Sequence, residues 1–291
     1  MIARIVEGRG GIFTVQNENG EEYILRAGNK FRYQGITPLV GDRVHYTPGE
    51  SEQHGWIDEI LPRKNTLTRP PVANIEKLGI VVAEYPQPDW LLVDKILLNA
   101  FLQEISPVLI INKIDLGRTA LESAKNMYSK TGIPILYVSA ITGEGIDELK
   151  KELKSFVSCF AGQSGVGKST LLSKLLGIEL ETGELSRKTM RGKQTTRHTQ
   201  LFIRDEVMLF DTPGFSLLNV PEGIEPHELA LLYPEFNKYL GQCKFSPCYH
   251  DTEPECAVSM ALERDELNLD RVERYRLLLA EVRHMWQNRY N

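Results

Sequence analysis

Over its first sixty or so residues the chain alternates short β-branched or aromatic runs with polar clusters. The runs fall at residues 2–6, 12–16, 22–25, 42–46 and 56–60, and Asn17-Glu18-Asn19-Gly20 and Pro48-Gly49 are two of the clusters between them. Runs this short, bounded by turn residues, are strands. Five of them within residues 1–65 predict a small all-β barrel of the OB type. Phe13, Tyr23, Phe31, Tyr33, Tyr46 and Trp56 are expected mostly to fill it, and any left outside offers a stacking platform for bases. Residues 61–71 end in paired prolines, which oppose regular structure, and are expected to be a linker.

From about Ile75 the period changes. Residues 78–83, 108–111, 133–138 and 207–210 are apolar runs of the kind buried on both faces of a parallel sheet, and the mixed segment 156–161 leads into a glycine-rich loop. Segments 90–104, 119–130, 145–154 and 170–176 are expected to be helices, the last with apolar residues spaced for one helical face. This alternation predicts an α/β domain over residues 66–221. Residues 222–291 are expected to form a mainly helical third domain. Its last helix, 270–290, carries Arg271, Arg274, Arg276, Arg283 and Arg289 beside Leu277, Leu278, Val282 and Trp286. The favoured reading is a solvated amphipathic helix; the alternative is an RNA-facing surface.

Composition narrows the function classes only a little. A length of 291 residues accommodates two or three cores, and a net charge of -5 argues against indiscriminate coating of nucleic acid without excluding a local basic face. The N-terminus has no apolar signal core and no apolar run approaches bilayer length, so a cytoplasmic protein with no membrane partner is expected. Four cysteines could make two disulfides, but in that reducing compartment clustered cysteines are expected to hold metal rather than pair.

The chemistry begins at Gly162-Gln163-Ser164-Gly165-Val166-Gly167-Lys168-Ser169, which fits the phosphate-loop pattern G-x-x-x-x-G-K-[ST] between a predicted strand and a helix that runs on from Thr170. Glycines let successive N–H groups wrap a phosphate, and the helix start adds positive potential. Lys168 would reach the β and γ phosphates and Ser169 would ligate Mg²⁺. Earlier in the chain, Asn112-Lys113-Ile114-Asp115 follows a buried strand. An aspartate there can accept guanine N1–H and N2–H together, which adenine cannot offer. Asn112 would touch the base edge or brace the loop, and the Lys113 stem would cover the ring. Ser139-Ala140, after the next strand, would give a backbone N–H to O6. Asp211-Thr212-Pro213-Gly214 ends a further strand, with Asp211 facing Mg²⁺ through water and the Gly214 N–H reading the γ-phosphate. Between these motifs lies a basic segment containing Arg187, Lys188, Arg191, Lys193, Arg197 and the pair Thr195-Thr196, one of which could reach Mg²⁺. Phe215 follows Gly214 where assisted GTPases place glutamine, so the isolated protein is expected to turn over slowly. Near the C-terminus, Cys243, Cys248, His250 and Cys256 supply the four donors of a closed tetrahedral zinc site, while Cys159 lies on an apolar strand and is expected to be a core residue.

Ordinary GTPases present the phosphate loop first and the guanine loops last. Here the order is reversed, as if the domain had been circularly permuted. That order, together with the spacing C-x-x-x-x-C-x-H-x-x-x-x-x-C, resembles the circularly permuted ribosome biogenesis GTPase family RsgA, also called YjeQ, over almost the whole chain. The resemblance implies an α/β, circularly permuted P-loop GTPase domain preceded by an OB barrel and followed by a zinc-binding domain, acting as a monomer on the small ribosomal subunit and its rRNA. It further implies slow GTP hydrolysis stimulated by that subunit, help in late assembly and release of the factor RbfA, with GTP/GDP, magnesium and one structural zinc as ligands. Lys168, Thr195, Thr196 and Gln194 are the catalytic candidates, Gln194 standing where family members often carry histidine. Two other classes stay open at this point: an ATP-using enzyme, which would bind ATP as well as GTP, and an RNA-binding scaffold in which nucleotide is only structural.

Overall fold

The computed structural model describes residues 1–49, 54–68, 70–178, 199–211, 219–221 and 223–289. The five runs of the N-terminal segment become β1 (Ile2–Arg9), β2 (Ile12–Asn17), β3 (Glu22–Ala27), β4 (Arg43–Thr47) and β5 (Gly55–Ile60), with a short helix α1 (Asn29–Tyr33) before β4. Strand β1 pairs antiparallel with both β2 and β4, β3 pairs parallel with β5, and β5 returns to β4, so the ladder closes into a five-stranded barrel. Closure of this connectivity is the OB arrangement. Alternate residues Ile5, Val15, Leu25, Val44 and Ile57 fill the interior. The aromatic residues divide: Phe13, Phe31 and Tyr46 are buried and Tyr23 packs partly against them, whereas Tyr33 is 90% exposed and Trp56 51% exposed.

Residues 61–71 are not the irregular linker that their prolines suggest. Strands β6 (Thr66–Thr68) and β7 (Pro71–Ala73) pair as a small hairpin, with Pro71 at the first position of its strand, where a sheet tolerates it. Side chains pin this connection on both sides. Arg63 donates to both carboxylate oxygens of buried Asp42 at 2.7 Å, and Asn74 donates to the Gly41 carbonyl at 3.1 Å. The bidentate ion pair and the amide bond tie the hairpin to the barrel.

The central sheet contains β8 (Lys77–Ala83), β9 (Ser106–Asn112), β10 (Ile135–Tyr137), β11 (Val157–Ala161), β12 (Gln200–Arg204) and β13 (Val207–Asp211) in the order β10-β9-β8-β11-β13-β12. All its strands run parallel except β12, whose edge also meets β1 of the barrel at Glu7 and Gln200. Helices cover both faces, as a parallel sheet requires. Leu78, Ile80 and Val82 pack with α2 (Trp90–Leu102) and α3 (Thr119–Tyr128); Val81 and Ala83 pack with α4 (Ile146–Leu153) and α5 (Lys168–Leu176). The loops leaving β8, β9, β10, β11 and β13 therefore share one edge, the usual place for a ligand in such a sheet.

The C-terminal part comprises two short 3-10 turns, Leu229–Leu232 and Pro234–Phe236, and helices α6 (Ala257–Glu263) and α7 (Leu269–Gln287) around Tyr233, Phe236, Val258, Tyr275 and Leu278. Helix α7 departs from the solvated reading. Arg271 is only 2% exposed, ion-paired to Asp94 of α2 and to Glu235, and its guanidinium lies 4.9 Å and 4.6 Å from the ring centres of Tyr128 and Tyr233. Arg274 reaches the other Asp94 oxygen at 2.5 Å, and the Tyr128 hydroxyl also donates to Asp94 at 2.5 Å. A buried carboxylate facing two guanidiniums and a phenol has its desolvation cost offset by charge-assisted bonds, and here those bonds join two modules. Lys95 and Glu281 add a pair on the same helix interface. Among the described residues no helix is long and apolar enough to cross a membrane.

Candidate active site and metal centre

Two tight glycines shape the phosphate loop. Gly162 has φ 135°, and a Cβ there would stand 2.1 Å from the Val81 carbonyl oxygen. Gly167 has φ 95°, and a Cβ there would stand 2.4 Å from Asn112 Nδ2. Neither position admits a side chain, because the backbone of β8 closes on Gly162 and the Asn112 amide on Gly167. Helix α5 starts at Lys168, whose Nζ donates to the Gly162 and Gln163 carbonyls at 2.8 and 2.6 Å. Burial lowers the Lys168 ammonium from its ordinary range and raises the Asp211 carboxyl at the end of β13. An opposite charge beside either group would favour its charged form and work against that shift. Val166 packs into the core; Ser164, Gly165 and Ser169 are exposed, and Gln163 and Thr170 half-buried.

The two loops expected to read guanine meet this one directly. Asn112, 1% exposed, donates through Nδ2 to the Val166 carbonyl at 2.8 Å and accepts the Ala140 N–H through Oδ1 at 3.3 Å. Of the two roles open to it, bracing is the one its contacts fill: a single side chain ties the loops after β9, β10 and β11. Lys113 has φ 63° and donates to the Tyr85 and Gly165 carbonyls at 2.8 and 2.7 Å, which links the loops after β8, β9 and β11. Ile114 packs into the core. Ser139 donates to Asp115 Oδ1 at 2.5 Å and accepts the Thr142 N–H at 3.1 Å, so one carboxylate oxygen of Asp115 is held in direction. Gln194, Thr195, Thr196 and Gly214, with Phe215 and the basic residues Arg187 to Arg197, lie outside the described residues.

Sequence reasoning passed over the connection between β8 and α2. There Asp89 caps α2 by accepting the Leu92 N–H at 2.9 Å, and its own N–H reaches Gln163 Oε1 of the phosphate loop at 3.0 Å. The available signal was the cap residue after Pro86 and Pro88, just before an apolar helix.

In the C-terminal module the ligand atoms of Cys243, Cys248, His250 and Cys256 lie within 4.8 Å of one another. His250 Nδ1 is 3.5 Å from Cys243 Sγ and 3.4 Å from Cys256 Sγ, and the two sulfurs are 4.0 Å apart. The loop is drawn tight by Glu253, which accepts the Tyr249 and Asp251 N–H groups at 3.0 and 2.8 Å, while the Ala257 N–H donates to Cys243 Sγ at 3.3 Å. Burial lowers His250, which keeps its imidazole neutral, and burial with the neighbouring thiols pushes Cys248 up to about 12. A cation among these sulfurs would offset the burial that holds Cys248 as a thiol, and the soft donor set and its closure fit zinc. Cys159 is buried in β11, as a core residue should be.

Comparison with known proteins agrees with this geometry. The family model described as RsgA GTPase matches residues 60–221, and that described as RsgA N-terminal domain matches residues 3–57. A relative from Caldanaerobacter subterraneus named small ribosomal subunit biogenesis GTPase RsgA is 42% identical over 291 residues, 99% of this chain and 97% of that protein. The crystal structure of YjeQ from Thermotoga maritima superposes with a TM-score of 0.82 at 37% identity, covering 97% of this chain and 98% of that one. That of YloQ, described as a circularly permuted GTPase, does so with a TM-score of 0.81 at 28% identity over 97% and 95%. With guanine loops that precede the phosphate loop in the chain yet bond to it in space, this protein belongs to the RsgA family of circularly permuted GTPases.

Proposed function

We propose that the protein hydrolyses GTP as a late assembly factor of the small ribosomal subunit. The observation that carries the nucleotide half of this reading is the Asn112 bridge between the base-reading and phosphate-binding loops. The ribosomal half rests on the names of relatives matched along nearly their whole length. In this reading Asp115 and the Ala140 N–H select guanine, the Lys113 stem covers it, and the amides of residues 162–170 cradle the phosphates. Ser169, Asp211 and one of Thr195 or Thr196 hold magnesium, which neutralises charge on the γ-phosphate when bound. Lys168 stabilises the same developing charge as water attacks in line, with Gln194 as a further catalytic candidate and the Gly214 N–H reading the γ-phosphate. Cys243, Cys248, His250 and Cys256 hold one structural zinc.

The working division of the chain is residues 1–65 as rRNA-binding barrel, 66–221 as GTPase and 222–291 as zinc module, in a cytoplasmic monomer. Tyr33 and Trp56 on the barrel exterior are suited to stack on bases. Hydrolysis is slow in isolation, because Phe215 cannot orient water, and faster on the subunit, which orders or completes the site; release of RbfA belongs to the same cycle. Single-turnover hydrolysis with and without small subunits tests this, with stimulation of roughly tenfold or more expected. Equal rates would contradict it.

A further inference from the structure

We infer that Glu84 is a positioning residue for guanine recognition, acting on Asp115 from the neighbouring strand. This role rests on Asp115 reading the base, as proposed, and adds a residue behind it. Strands β8 and β9 are parallel neighbours in register, with Ala83 opposite Asn112, so Glu84 leaves the sheet alongside the first residues of the guanine loop. Its Oε2 accepts the Ala120 N–H at 2.8 Å. That amide belongs to the first turn of α3, whose N-cap, Arg118, makes no side-chain cap bond. A helix start lacking its own cap leaves N–H groups to be satisfied from elsewhere, and a carboxylate there also meets the positive end of the helix. Glu84 fills both needs from another element.

The approach is close. A Cβ at Gly117, where φ is 155°, would lie 3.0 Å from Glu84 Oε1 and 3.1 Å from its Cδ and Cγ, so the glycine is what admits the carboxylate. Leading up to that glycine, the chain from Lys113 to Gly117 turns on the bonds Leu116 N–H to Lys113 O at 2.9 Å and Gly117 N–H to Ile114 O at 3.4 Å. Asp115 sits inside that turn. It is therefore fixed at three places: at the entry by Asn112, at one carboxylate oxygen by Ser139, and at the exit by Glu84.

Two parallel hydrogen bonds to guanine N1–H and N2–H demand that both Asp115 oxygens lie in the plane of the base, whereas a single bond tolerates tilt. Loosening the exit of the loop should thus weaken the N2 contact first. Inosine nucleotides lack the N2 amino group and report that difference directly. Equilibrium binding of GDP and IDP is to be measured on the full chain for wild type, Glu84→Ala, Glu84→Gln and Asp115→Asn.

Glu84→Ala is expected to weaken GDP about fivefold, the size of a lost cap bond, and IDP by less, so that the preference for GDP over IDP falls. Glu84→Gln keeps an acceptor oxygen and restores most of that preference. Equal weakening of both nucleotides, or no change in either, in a variant that melts cooperatively would overturn the role of Glu84 while Asp115→Asn still abolishes the preference. If Asp115→Asn also leaves the preference intact, the guanine assignment itself fails and Glu84 with it.

Discussion

Replacing Lys168 by alanine is expected to lower kcat/KM for GTP by about 100- to 1000-fold, the effect of removing one preorganised donor of positive charge from a transition state. The Lys168 ammonium is held by the Gly162 and Gln163 carbonyls at the mouth of the loop, half-buried and with its proton affinity lowered by burial. A cation in that state gains more from a phosphate than a solvated one does. Alanine leaves the loop amides, the start of α5 and the bracing bond from Asn112 in place, so nucleotide still binds, though less tightly. Arginine should not rescue the activity, because its planar fork cannot occupy the site of a point charge enclosed by two carbonyls. Single-turnover hydrolysis together with thermal melting checks this. A Lys168→Ala protein that melts normally and retains activity within threefold of wild type would remove the residue from the mechanism.

The second large effect concerns the metal centre. Cys256→Ser, or prolonged treatment with a strong chelator, is expected to remove the stoichiometric zinc and unfold the C-terminal module. Structural zinc contributes roughly 10–16 kcal/mol, as much as a whole domain usually has in reserve. The dependence should be strong here because Cys256 and His250 are themselves buried among the core side chains, with His250 edge-on to Phe236 at 6.4 Å. Unfolding would also release α7 from Asp94 and Lys95 of α2, whose first residue is preceded by the Asp89 bond to the phosphate loop. Metal analysis and limited proteolysis read the outcome directly. New cleavage should concentrate beyond residue 223, and unchanged protection in a zinc-free variant would show that the module holds itself together.

Much of this architecture is legible along the chain because it is written in local periods. Strands β8, β9, β11 and β13 lie within a few residues of the apolar runs that predict them, and the barrel strands do likewise. The glycines at 162 and 167 declare the loop because no other residue fits their backbone and surroundings. The four candidate zinc donors are legible because three cysteines and a histidine crowd one polar segment, and their ligand atoms do converge.

What stayed hidden is set by contacts between residues far apart in sequence. Nothing local distinguishes Arg271 from the half-buried Arg276 and Arg283 of the same helix, since its partner Asp94 is 177 residues away. The hairpin at β6 and β7 is stabilised by bonds to Asp42 and Gly41 from the flanking residues Arg63 and Asn74, so two prolines alone gave the wrong expectation. Helix α2 stops at Leu102, two residues short of the periodic pattern, where Glu104 turns to φ 54° and starts the path into β9. Asn112 could be placed in the pocket by its motif, but whether it meets the base or the loops depends on how closely β11 delivers Val166.

The most direct measurement of the central claim is displacement of fluorescent GDP from the wild-type protein by unlabelled GDP and ADP at equilibrium. A pocket in which Asp115, aligned by Ser139, meets the base while Lys168 and the loop of residues 162–170 hold the phosphates should reject ADP by about 1000-fold or more. Comparable displacement by the two nucleotides would mean that the loops after β9 and β10 do not read the base.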